Sequence, residues 1–435
     1  MDRSGNDPKS YVIQLRQAIA LYLPPRGLPL LGVWRWSDRL LVTAALLLAY
    51  IGGATLIDRF TGARAAVVAM YRSRKRPGKS FAGFMAALVR RSPRLVALVG
   101  AALRGKMQAH LAPQWRIGRF AAFGFDGTKI DCPRTQANEK HFTIGGRNKS
   151  GPQMLLGLLF HLRTGLIWSW RRGDACTPER TLLRDLLGDL PAAALLVADA
   201  GLTGYDLLVA ILAAGHSFVI RAGANVPLLK KLGYLVEERH GIVYLWSQRA
   251  QEEGLPPLTL RLIVLVDGRN RKMCLLTNVL SPQELSASKA RMLYGLRWGV
   301  ELLFRAMKQT LARRKMLSDS PRHAEVELDW TVMGQWLLSL VLLEQGGIKT
   351  SVRQGFAAAL RIVRAALAGH ADGRHSLWRT LARIRPDGYH RRRPKKARDW
   401  AHKKYDPPCG VPKLRMATPT EIRMARGFRE LKRAA

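Results

Sequence analysis

The sequence predicts an α/β fold: a mixed sheet interrupted by an all-β insertion and preceded by an α-helical N-terminal domain. Three observations lead there. Residues from about 35 to 115 are helical in pattern. From about 116 to 226, short β-type apolar runs alternate with helical stretches, as in a sheet with parallel pairs covered by helices. Over 227–280 the alternation stops and three strand-like runs follow one another before a helical pattern resumes.

The elements follow in order. Residues 1–34 are polar, then rich in Pro and Gly ("LPPRGLPLLG"), and read as an N-terminal arm. Residues 35–115 form a helical module with a basic stretch, "YRSRKRPGKSFAGFMAALVRRSPRL", suited to the backbone of a nucleic acid but equally to a solvated face. Within it, Leu40–Ile57 runs eighteen residues without a charge, the lower edge of a membrane span. Thr43, Tyr50, Gly52, Gly53 and Thr55 interrupt it, and Asp38 with the preceding Trp34 and Trp36 marks a helix start. A buried helix of an N-terminal bundle, with no membrane as partner, is therefore expected.

Residues 116–350 form the α/β domain. "RFAAFGFDGTKID" is a strand ending at a Gly-containing turn. "QMLLGLLFHLRTGLIWSWRRG" gives two strands joined at Arg163-Thr164-Gly165. Thr177 is expected to cap a helix that starts at Pro178 and runs to Gly188. "AALLVADAGLTGYDLLVAILAAG" reads as buried strand, turn and helix, and "SFVIRAG" as the next strand. The insertion, 227–280, carries "GIVYLWSQ", "LTLRLIVLVDG" and "KMCLLTNVL", the last two joined by a hairpin turn at Gly268-Arg269-Asn270. Residues 351–435 form a helical and basic C-terminal region. From 370 onward it holds nineteen Lys/Arg against six Asp/Glu, the composition of a flexible tail that binds polyanions weakly.

Composition narrows the function. The 435 residues are 48% hydrophobic, enough for a sizeable core, and carry a formal net charge of +40. An enzyme of small neutral substrates does not need such a charge, whereas a polyanionic partner does, and nucleic acid is the first candidate. The cysteines at 132, 176, 274 and 409 form no CxxC pair and no zinc spacing, which fits a reducing cytoplasm. The N-terminus shows no signal-peptide pattern. His141, His161 and His216 lack ligand spacing, and there is no GxSxG nucleophile motif.

Two aspartates follow apolar runs: Asp126, after "FAAFGF", sits on or at the end of a strand, and Asp199 ends the run "AALLVA" and opens a turn. Carboxylates at strand ends of an α/β sheet converge on one crevice. Singly each is a common turn former, but together they repel unless metal ions hold them, and oxygen ligands select Mg²⁺ or Mn²⁺. Asp131 competes for the first role. Five residues from Asp126 on a strand, it points to the opposite face, and the following Gly127 favours Asp126. A third acid lies in "YGLRWGVELLFRAMK". Read as one helix, Tyr294–Lys308 places Tyr294, Arg297, Glu301 and Lys308 in an arc of roughly 60°, beside an apolar face.

These segments resemble one family: insertion-sequence transposases with an RNase H-like fold, a DDE triad and a Tyr-Arg-Glu-Lys signature. Tyr294, Arg297, Glu301 and Lys308 match that signature at every spacing. "FDGTKIDCPRT" is similar to the family's first-aspartate segment and "VADAGLTGYDLL" to its second, with Leu202 where Phe is common. The resemblance covers roughly 115 to 345. It implies that Asp126, Asp199 and Glu301 are catalytic and bind two divalent ions, Mg²⁺ or Mn²⁺, for strand cleavage and strand transfer. It also implies that Tyr294, Arg297 and Lys308 contact DNA, with Trp298, Arg221 and Trp246 as further candidates, Trp246 for stacking on a flipped base. The expected partners are double-stranded DNA, at element ends and target, and a second copy in a homodimeric synapse. The competing readings are a domesticated DNA-binding protein derived from a transposase, or another RNase H-like nuclease.

Overall fold

In the computed structural model, residues 8–24, 28, 35–71, 76–144, 151–266, 270, 272–345, 355–369, 376–384 and 410–434 are described. The helices are α1 (Pro8–Tyr22), α2 (Asp38–Tyr50), α3 (Leu56–Met70), α4 (Phe81–His110), α5 (Gln136–Phe142), α6 (Glu179–Leu186), α7 (Tyr205–Ala213), α8 (Gln248–Glu252), α9 (Ala287–Leu296), α10 (Gly299–Arg305), α11 (Pro321–Gln345), α12 (Phe356–Leu367), α13 (Leu377–Ala382) and α14 (Pro419–Ala434). The strands are β1 (Ala122–Asp131), β2 (Gln153–His161), β3 (Leu166–Gly173), β4 (Leu195–Ala198), β5 (Ser217–Ala222), β6 (Pro227–Lys230), β7 (Ile242–Leu245), β8 (Leu258–Val266), β9 (Lys272–Thr277) and β10 (Lys413–Met416). The chain divides into two compact units, 1–115 with 127–177 and 299–389, and 116–126 with 178–298 and 390–435, so that β1 begins in the second and ends in the first.

The first unit is built around α2 and α11. Every residue of α2 from Leu40 to Tyr50 is buried, and Ser37 caps its start by accepting a hydrogen bond from the Leu40 amide. The apolar run expected to be one helix breaks at Gly52-Gly53, and α3 restarts behind a capping box of Thr55 and Asp58. α2 and α11 approach so closely that a Cβ on Gly334 would lie 2.9 Å from Ala49 Cβ, and the Tyr50 hydroxyl donates to the Gly334 carbonyl at 2.8 Å. α11 is long and apolar enough to cross a membrane, but its apolar window is wholly buried. The arm expected over 1–34 includes α1, whose Tyr11, Leu15, Ala18, Ile19 and Tyr22 are buried. Its buried residues recur every three to four positions, a helical period that the intervening polar residues obscure. Strands run β1-β2-β3 here, with β2 and β3 antiparallel. Thr177 does not cap α6. It binds Asp174, which accepts from its hydroxyl at 2.8 Å and its amide at 2.7 Å.

In the second unit the strand order is β10-β6-β7-β8-β9-β5-β4-β1. β4, buried along its whole length, lies parallel between β1 and β5. β9 then joins β5 antiparallel, and β6–β8 complete the insertion as a meander. The expected mixed sheet, with parallel pairs followed by a β-insertion, is thus present. The insertion holds four strands and the short α8 rather than three runs. Of its expected hairpin turn, Gly268 and Arg269 lie outside the described residues, and Asn270 has φ +56°. The C-terminal region, expected to be helical and basic with a flexible tail, holds α12, α13 and α14 and also supplies β10, parallel to β6. The basic run "RRRPKKARDW" lies outside the described residues.

Candidate active site

Asp126 is the fifth residue of β1, after four buried positions, so it lies on the strand. β1 and β4 pair with Ala122 opposite Leu195 and Gly124 opposite Val197. Extending that register by two residues sets Asp126 level with Asp199, one residue beyond β4. Adjacent strands lie roughly 4.8 Å apart, so sequence alternation and pairing bring the two carboxylates side by side. Two like charges at that spacing repel unless a cation lies between them.

The cation present is Arg297. It ends α9 and is buried, with its Nη1 3.3 Å from Asp126 Oδ2 and its Nη2 3.4 Å from Asp199 Oδ2. Its Nε is buried without a partner. One turn earlier on α9, the buried Tyr294 donates its hydroxyl to Asp199 Oδ1 at 2.9 Å, and its ring lies 5.4 Å from the Arg297 guanidinium. Burial, with the negative charge of Asp199 beside it, pushes the Tyr294 hydroxyl up to about 12, so it remains a donor at neutral pH. Partial burial of Asp199 opposes its ionisation. The Ala200 amide, Arg297, the Tyr294 hydroxyl and the charge of Arg221 outweigh that and hold its carboxyl below the usual range. The carboxylates stay open to solvent, with side-chain exposures of 27% for Asp126 and 45% for Asp199. This donor set of hard oxygens, partly exposed and side by side, fits a divalent ion such as Mg²⁺ or Mn²⁺.

The continuous helix expected over Tyr294–Lys308 is not formed. α9 ends at Leu296 and closes with i to i−3 bonds from the Arg297 and Trp298 amides, and α10 restarts at Gly299. Gly295 and Gly299 flank the break, where a helix is weakest. A π-helical turn over Ala306–Thr310 follows. The angular reckoning from Tyr294 to Lys308 fails at these two irregularities. Tyr294 and Arg297 belong to the second unit with Asp126 and Asp199, whereas Glu301 and Lys308 belong to the first. Glu301 is exposed in the first turn of α10. Lys308 donates to Thr128 Oγ1 at 2.7 Å, and burial draws its ammonium below the usual lysine range. Among the described residues, no three His, Cys, Asp or Glu side chains form a metal-holding group.

The remaining candidates divide. Trp298 is 61% exposed. Arg221, in β5, acts on Asp199 through its charge. Trp246 is buried, donates to the Leu255 carbonyl at 2.7 Å and packs edge-on to Phe428, so it is a core residue of the insertion rather than a presented ring. Asp131 accepts from Gln153 at 2.8 Å. Sequence reasoning missed Thr128, although it lies two residues from Asp126 and so on the same face of β1.

Residues 122–335, which span both aspartates and the β-insertion, match the transposase DDE domain family. That family consists of metal-dependent enzymes of DNA cleavage and strand transfer. The chain is 28% identical over 221 residues to the transposase InsG for insertion sequence element IS4 of Escherichia coli (strain K12). The match covers 48% of this chain and 49% of that protein, so the chain spans about half the length of this curated relative. A solved synaptic complex of piggyBac transposase with hairpin DNA aligns with 89% of this chain and 87% of that one, at 12% identity and a TM-score of 0.40.

Proposed function

We propose that this chain is the transposase of an insertion sequence, binding double-stranded DNA at the element's ends and at the target and cutting and joining its strands. We infer that it works as a pair of copies, one on each end, in the cytoplasm. The observation that carries the reading is the Asp126–Asp199 pair, set level on parallel strands and bridged by one buried arginine. Asp126 and Asp199 would hold the divalent ions, with Glu301 as the third ligand by its match to the signature. When bound, two such ions activate a water and stabilise the leaving oxygen of the phosphodiester.

The chain's own residues prepare that chemistry. Arg297 offsets the repulsion between the two carboxylates by its charge. The Tyr294 hydroxyl and the Ala200 amide both donate to Asp199 Oδ1, at 2.9 and 2.8 Å, while Oδ2 faces Arg297 Nη2 at 3.4 Å. Lys308, by its match to the signature, would supply a cation for a DNA phosphate. The net charge of +40 draws the polyanion in.

The test uses a duplex carrying the terminal inverted repeat that flanks the gene. Asp126→Asn, Asp199→Asn and Glu301→Gln should each lower strand cleavage by ~10³-fold or more, the rate equivalent of several kcal/mol of lost charge stabilisation. Binding of the same duplex should change little, since it rests on dispersed phosphate contacts. Cleavage by Glu301→Gln at the wild-type rate would remove that residue from the site. Sequence-specific binding without cleavage by the wild-type chain would favour the domesticated DNA-binding reading.

A further inference from the structure

We propose that Arg180, on α6, is a positioning residue that fixes the Asp199 loop for ion binding. This rests on the transposase reading above. Asp199 lies outside any long element: it caps a three-residue 3₁₀ turn, Ala200–Leu202. That turn is closed only by i to i−3 bonds, Leu202 N to Asp199 O at 3.1 Å and Thr203 N to Ala200 O at 3.2 Å. Such turns have poor hydrogen-bond geometry and do not by themselves fix a side chain. Something outside the turn must hold it.

Two braces do so. On one side, the Thr203 hydroxyl donates to the Arg221 carbonyl of β5 at 2.8 Å, and Leu202 is buried. On the other, Arg180 donates from Nε to the Gly201 carbonyl at 3.0 Å and from Nη2 to the Thr203 carbonyl at 2.7 Å. One planar fork thus joins two carbonyls on either side of Leu202, a geometry that a lysine ammonium cannot reproduce. Gly204 completes the seat: a Cβ there would lie 2.9 Å from Arg180 Nη1 and 3.3 Å from its Cζ. The Gly204 backbone is extended, with φ −174°, so another residue could adopt it, and what a side chain would meet there is the Arg180 guanidinium. Groups that orient a metal ligand typically govern affinity or activity by about 10- to 100-fold.

Gly204 gives a second way to test the brace. Gly204→Ala leaves Arg180 in the chain but pushes its guanidinium, the end of a flexible side chain, out of the fork. The experiment measures Mn²⁺ affinity of the full chain by electron paramagnetic resonance, together with Tm and with kcat and KM for end-duplex cleavage. Arg180→Ala, Arg180→Lys and Gly204→Ala should each weaken Mn²⁺ binding and lower kcat by about tenfold, with KM for the duplex unchanged. Adding Gly204→Ala to Arg180→Ala should have no further effect, because both act through one contact. Unchanged Mn²⁺ affinity and kcat with a lowered Tm would overturn the proposal and leave Arg180 as a brace of the fold alone. Additive effects in the double variant would overturn it too. Asp199→Asn separates the two levels. If it keeps wild-type Mn²⁺ affinity, the reading of Asp199 as a ligand fails and this inference with it. If it loses Mn²⁺ while the Arg180 and Gly204 variants keep it, only the positioning role fails.

Discussion

Arg297 stands 3.3 and 3.4 Å from its two aspartates, longer than the ~2.7–2.9 Å of a charge-assisted hydrogen bond. Its hold on them is mainly electrostatic, and a divalent ion placed between the same carboxylates must contend with its charge. Arg297→Gln should therefore bind Mn²⁺ about tenfold more tightly, the effect of removing one nearby positive charge in a partly screened site, while cleaving DNA more slowly. Weaker Mn²⁺ binding by that variant would mean that the guanidinium aligns the carboxylates rather than opposing the ion. Arg297→Lys keeps the charge but can reach only one aspartate at a time, so it should retain much of the DNA binding yet cleave poorly. At this scale the sequence was partly legible. Tyr294 and Arg297 could be singled out because their spacing from Glu301 and Lys308 is fixed, and the aspartates because each follows an apolar run. Arg180 could not be, since its partners are backbone carbonyls and a bond to a carbonyl leaves no residue pattern.

Elements were legible where period and burial agree and illegible where local irregularity or a distant partner decides. β4 appears as an uninterrupted apolar run because a strand covered on both faces needs no alternation. The helix expected through Tyr294–Lys308 misled because its apolar period continues across the glycine-flanked break at Arg297-Trp298. The C-terminal β10 and α14 were hidden by net charge, although "TPTE" is a capping-box pattern. Thr418 and Glu421 exchange hydrogen bonds with each other's amides, and Arg415 of β10 grips Glu421 at 2.8 and 2.6 Å. Those Arg415 bonds, reinforced by the Thr418 amide and hydroxyl against the opposing effect of burial, pull the Glu421 carboxyl down to about 2. A carboxyl depressed on folding stabilises the fold above its ordinary value of 4.5 and loses that contribution as pH falls toward about 2. Hydrogen exchange should show α14 amides losing protection within that window before those of β4. Glu421→Gln should weaken α14 protection at neutral pH and remove its acid-dependent step.

For the whole molecule, charge and composition indicate a class of partner but not where on the chain it binds. The excess of 71 Lys and Arg over 31 Asp and Glu is spread along the chain, and some of these cations are already paired. Arg91 and Arg94 pair with Asp38, Arg172 with Glu325 and Asp329, and the buried Arg313 with Glu327. Cations engaged in this way release few counterions when DNA binds. The run Arg391, Arg392, Arg393, Lys395 and Lys396 has two acids within four residues, Asp387 and Asp399, and is the densest basic block of the C-terminal region. If its five cations contact phosphates, replacing them with Ser should flatten the log–log salt dependence of binding by up to about 4–5 units, at roughly 0.9 per phosphate neutralised. The loss should be equal for the terminal inverted repeat and for a random duplex of the same length, because phosphate contacts carry no base information. The ratio of the two affinities should therefore hold while both fall. A change in that ratio would show that the run reads the element end rather than the DNA backbone. An unchanged slope would place the phosphate contacts on other cations of the chain.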